Sequence, residues 1–132
     1  METICVRLHR GDDLLTKIEQ ICAEKHLQAG VVLSAVGCVT SAVVRDAGGI
    51  RVCRIDEPCE IVSLMGTVSK LRCHLHIALS KKDLSTVGGH LMHGCRINTT
   101  CELVLAKLPG WHFGYEQDAE TGYDEITMEE KQ

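Results

Sequence analysis

The chain has 132 residues, 45% of them hydrophobic and 24% charged. That length can bury roughly two-thirds of the unfolded surface, and the composition is that of an ordinary soluble globular domain rather than a disordered or fibrous chain. No apolar run approaches the ~20 residues that a membrane-spanning helix needs. The net charge of −4 comes from residues 116–132, which hold seven acids and one lysine. The remainder is only weakly basic, so charge alone does not point to nucleic acid.

The first segment, Thr3-Ile4-Cys5-Val6-Arg7-Leu8, alternates apolar and polar positions as a strand does. Asp12 or Asp13 then offers a helix cap, and Leu14, Leu15, Ile18, Ile21 and Cys22 follow at helical spacing. This helix is expected to end near residues 26–28, with Gly30 closing it. Beyond it the pattern is β-rich. Residues 31–36 and 41–45 read as two strands around Gly37-Cys38-Val39-Thr40. Asp46-Ala47-Gly48-Gly49 signals a hairpin, with residues 50–55 as the return strand. Pro58 marks a turn, and residues 60–68, 73–80 and 99–107 supply three more strands. Strands without intervening helices imply one α+β domain over residues 1–132, a largely antiparallel sheet carrying one main helix. In the acidic segment 116–132, Tyr123, Ile126 and Met128 are placed to form a last strand, while the composition alone allows disorder.

Aromatic residues make up only 3% of the chain, so aliphatic residues and cysteine must build the core. The eight cysteines lie within apolar runs such as Ile21-Cys22-Ala23, and none forms a CxxC pair. They read as small buried hydrophobes with free thiols. Together with an N-terminus that lacks a signal-peptide pattern, this places the protein in the cytoplasm.

Cys73-His74-Leu75-His76-Ile77 sets two histidines two apart within a strand. Strand side chains alternate, so His74 and His76 share a face about 7 Å apart, while Cys73, Leu75 and Ile77 turn to the core. His90 follows Gly88-Gly89, which reads as a bend that folds a third imidazole back over the strand pair. Three neutral imidazoles suit zinc or another divalent metal and leave a coordination position open. The competing reading is a set of solvated histidines on an exposed sheet face. His93 is an alternative third ligand if its stretch is helical, and His9, His26 and His112 read as ordinary surface or half-buried histidines. Glu102 and Glu60 can orient a ligating imidazole from behind or simply be surface acids.

With these residues in view, the chain resembles the PPC (plants and prokaryotes conserved) domain family. The matching stretches are Arg10-Gly11-Asp12-Asp13-Leu14, Val32-Leu33-Ser34-Ala35-Val36-Gly37 and Glu60-Ile61-Val62-Ser63-Leu64-Met65-Gly66-Thr67. They continue through His74-Leu75-His76-Ile77-Ala78-Leu79-Ser80, Gly88-Gly89-His90-Leu91 and Glu102-Leu103-Val104-Leu105, and Asp118 to Ile126 is similar to the end of prokaryotic members. The resemblance implies an antiparallel-rich homotrimer. It also implies a metal site in some prokaryotic members, carried here by His74, His76 and His90. In plants the domain follows DNA-binding AT-hooks, and prokaryotic members are called DNA-binding by analogy. This chain has no such hook: Arg10-Gly11-Asp12 is acidic where a hook is basic.

Three functions follow as expectations. The first is a metal-binding homotrimeric module that takes a small ligand at the open metal position. The second is a DNA-binding or transcription-associated regulatory protein, and the third is a metal-dependent enzyme. For the last, Glu60, Glu102 and Ser69 are the only candidate groups, and none sits in a catalytic motif.

Overall fold

Alternating apolar positions commit most of the chain to strands. The computed structural model describes residues Met1–Gln132 as nine strands and one helix. In chain order these are β1 (Thr3–His9), α1 (Leu14–Glu24), β2 (Gly30–Arg45), β3 (Val52–Ile55), β4 (Cys59–Val68), β5 (Cys73–Ser80), β6 (Thr86–Leu91), β7 (Arg96–Lys107), β8 (Trp111–Gln117) and β9 (Asp124–Glu130).

The helix buries Leu14, Leu15, Ile18 and Cys22 on one face. Asp13, not Asp12, caps it: Oδ1 of Asp13 accepts from Thr16 N at 3.0 Å. The same carboxylate accepts from Gly94 N at 2.6 Å, which ties the helix start to the β6–β7 turn. The helix stops earlier than its apolar spacing suggests. His26 adopts a left-handed φ of 51°, and the N–H groups of His26 and Leu27 return to the carbonyls of Ala23 and Cys22. Gly30 therefore closes nothing; it opens β2, where a Cβ would press on the Ala106 carbonyl at 2.8 Å.

The two strands expected over 31–36 and 41–45 are one 16-residue strand. Its register with β7 shifts at three places, and these bulges bend it without breaking it. Because β2 is so long, two continuous tracks of chain flank it. β3 and β4 run along one edge, and β7 followed by β6 runs along the other. Since β5 pairs with both β4 and β6, the strands β2, β4, β5 and β6 close on themselves. β1 extends the far side through β7, all neighbours are antiparallel, and α1 packs against the inner surface.

One core cluster joins α1 to the inward residues of the sheet, including Val39, Leu75, Leu79, Leu91, Leu103 and Leu105. All eight cysteines are free, and Cys22, Cys59, Cys95 and Cys101 are buried in it or beside it. Residues 124–130 of the acidic tail form β9, paired along its length with β8. Phe113 of β8 is buried, and Arg72 holds the start of β9 by donating to the Asp124 carbonyl at 2.8 Å.

Candidate metal centre

The period-2 rule operates on β5 as expected. Leu75 and Ile77 are buried, while His74 and His76 face outward. The third histidine arrives differently from the expected bend. Gly88 and Gly89 lie inside the regular strand β6, and His90 is the direct cross-strand partner of His76. The glycines answer to crowding. A Cβ on Gly88 would overlap the Ile77 carbonyl oxygen, and one on Gly89 would meet the Arg45 carbonyl at 2.6 Å. β6 is squeezed between β5 and the end of β2, and only glycine lets it fit both edges.

The three rings therefore meet on one outer face. Their centroids are 5.2 Å apart for His74–His76, 5.2 Å for His74–His90 and 5.6 Å for His76–His90. One nitrogen from each lies within 4.8 Å of those of the other two. A tetrahedral zinc centre wants nitrogens ~3.4 Å apart at metal–nitrogen distances of ~2.0–2.1 Å, which modest side-chain rotations supply.

The site also favours the protonation state a metal requires. Burial, then the Arg45 guanidinium and the other two imidazoles, push His90 down to about 4. Burial, His76 and Arg72 lower His74 as well, with the Glu125 carboxylate opposing them. Both rings are thus neutral bases at pH 7, ready to ligate. The donor set and its protonation fit a borderline divalent cation.

The remaining histidines lie elsewhere. His93 pairs with Glu19 at 2.7 Å, and His112 bonds Gln28 at 2.7 Å. The two carboxylates considered as supports are not beside the rings. Glu102 sits on β7, opposite Arg7 and Val36, with β2 and β4 between it and β5. Glu60 faces Ser80, four residues along β5 from His76, or ~13 Å. Ser69 is buried and holds the β4–β5 turn, accepting from Leu71 N and Arg72 N at 3.2 and 3.3 Å.

Two groups at the site escaped sequence reasoning: Arg45, the register partner of His90 on β2, and Glu125 on β9. No local pattern marks either, because each is brought in by strand pairing or by the folded tail. A cleft of about 590 Å³ opens beside the rings, bounded by Arg45, Ala47, Ser63 and Met65.

Comparison with known proteins places this site in context. The sequence profile of the Plants and Prokaryotes Conserved (PCC) domain matches residues 1–109. The chain is 39% and 40% identical over 124 residues to the bifunctional protein GlmU of two Synechococcus strains. It spans only 20% of the length of these curated relatives. A hypothetical protein from Salmonella cholerae-suis has a structure with TM-score 0.95 and 30% identity, covering 99% of this chain and 95% of that one. A metal-containing protein from Archaeoglobus fulgidus superposes with TM-score 0.79 and 33% identity, covering 96% and 94%.

Proposed function

This chain belongs to the Plants and Prokaryotes Conserved domain family, and from that premise we propose that it is a homotrimeric metal-binding module. His74, His76 and His90 hold one divalent cation, zinc foremost, and the remaining coordination position takes a small ligand. The observation that carries this reading is the convergence of three imidazoles from β5 and β6, with ligand atoms all within 4.8 Å of one another. The metal-containing Archaeoglobus relative, alike over nearly the whole chain, supports it. A cation bound there would supply Lewis acidity and positive charge to an oxygen donor in the cleft.

The trimer is supported by an outer surface that a monomer has little reason to keep. Leu33 and Val36 on β2 and Val62 and Met65 on the neighbouring strand β4 are exposed. Exposed apolar surface of this kind marks an interaction face. Met65 is also the register partner of His76, so a neighbouring subunit on this face would border the metal cleft.

The test is elemental analysis after zinc addition and dialysis, with mass measured by light scattering at micromolar concentration. The wild type should carry one zinc per chain in a trimer, and His76→Ala should carry none while keeping its far-ultraviolet circular dichroism. A wild type without metal, or a His76→Ala protein with full metal content, overturns the metal site. A monomeric mass overturns the trimer.

A further inference from the structure

The pairing of four strands sets one row of side chains across the outer face. Arg45 on β2 opposes His90 on β6, His90 opposes His76 on β5, and His76 opposes Met65 on β4. Directly opposed residues on antiparallel strands have Cβ atoms ~4.5–5.5 Å apart. The inward neighbours confirm the facing: Val44 opposes Leu91, and both are buried in the core. Arg45 is thus the next side chain beyond the histidines, and its charge reaches both His90 and His74.

Three other cations, Arg54, Lys81 and Arg72, have partners. Arg54 pairs with Asp56 at 2.6 Å, and Lys81 with Glu57 at 3.7 Å. Arg72 donates to a carbonyl and lies over the Tyr115 ring at 4.7 Å. Arg45 is half-buried and enters no ion pair, and its Nε is buried without a hydrogen-bond partner. A desolvated donor left unpaired is costly unless something is bound to it. It lines the same cleft as the three imidazoles, whose size of about 590 Å³ suits a small molecule.

Resting on the metal reading above, we infer that this cleft binds a small organic carboxylate, with one oxygen on the metal and the other on the Arg45 guanidinium. The edge of the guanidinium can donate both Nε–H and an Nη–H to that second oxygen, while the first oxygen stays on the metal. Ala47 and Met65 give the cleft apolar walls for a short carbon chain. A phosphate dianion fits less well, because it brings more oxygens than one guanidinium and the Ser63 hydroxyl can satisfy there.

The experiment uses cobalt(II)-loaded full-length protein, whose visible ligand-field absorption reports changes at the open position. Butyrate and inorganic phosphate are the probes. Butyrate should shift the wild-type spectrum saturably and at lower concentration than phosphate. Arg45→Gln should take up the same cobalt but bind butyrate at least tenfold more weakly. Arg45→Lys, which keeps the charge and loses the fork, should fall between, and it carries the test if Arg45→Gln does not fold. Equal cobalt uptake with unchanged butyrate affinity in these variants overturns this inference and leaves the metal site standing. Tighter binding of phosphate than of butyrate overturns the carboxylate class. Failure of the wild type to take up cobalt overturns the metal site and this inference with it.

Discussion

Two antiparallel pairs on the outer surface of one sheet, β1–β7 and β5–β6, handle opposed polar side chains in different ways. On β1–β7, Arg7 stands opposite Glu102, both exposed to solvent. Opposite charges facing across a ladder are the ordinary way a sheet covers its wet side. On β5–β6, His76 stands opposite His90, with His74 alongside and Arg45 next in the row. Here His90 lies between an imidazole and a guanidinium, and partial burial adds to the disfavour of protonation. The first pair sets a cation against an anion. The second sets three imidazoles beside one another with no carboxylate in the row, an arrangement that a divalent cation could satisfy.

The comparison is broken most severely by filling the space that β6 keeps clear. Gly88→Val places a side chain against the Ile77 carbonyl, so β5 and β6 separate and His90 leaves His76. Urea unfolding should show a loss of about 3 kcal/mol, accompanied by loss of bound zinc. Retained zinc and stability would mean that the crowding between these strands has been misread.

Acid sharpens the comparison. The folded-state pKa of His90 is lowered to about 4 and that of His74 is lowered too, whereas an unfolded histidine titrates near ~6.5. Between those values the unfolded chain binds more protons than the folded one, so stability rises with pH. The metal-free protein should therefore lose stability as pH falls from about 6.5 towards 4. The groups facing these rings are Arg45, Arg72, His76 and Glu125. His90→Gln should flatten part of that slope in denaturant midpoints measured across the range, and an unchanged slope would place the dependence elsewhere. Metal affinity follows the same sign, because protons compete for His90 only well below pH 6.5.

The smallest effect is expected on the ordinary pair. Glu102→Gln should alter stability by no more than about 0.5 kcal/mol and leave zinc content unchanged. A loss of metal in this variant would show that Glu102 on β7 communicates with the histidines through the rest of the sheet.

How legible each part was depended on how local its cause is. Alternation is a property of neighbouring residues, so His74 and His76 could be placed on one face, and Leu75 and Ile77 in the core, from spacing alone. The helix face was equally plain, and Gly88-Gly89-His90 marked the third histidine of the cluster even though the reason assigned to the glycines was wrong. β6 itself went unread because two consecutive glycines carry no β signal; they are there for the carbonyls of residues 11 and 44 positions away. The helix end was missed because His26 took the left-handed position usually left to glycine. The bent β2 looked like two strands because its bulges interrupt the alternation. Spacing along the chain establishes which side chains share a strand face and which face is apolar, since both follow from a two-residue period. Which strands lie side by side, and so that Arg45 borders the histidines while Glu60 and Glu102 do not, emerges from the folded sheet, because pairing across a sheet is set by contacts between residues far apart in the chain.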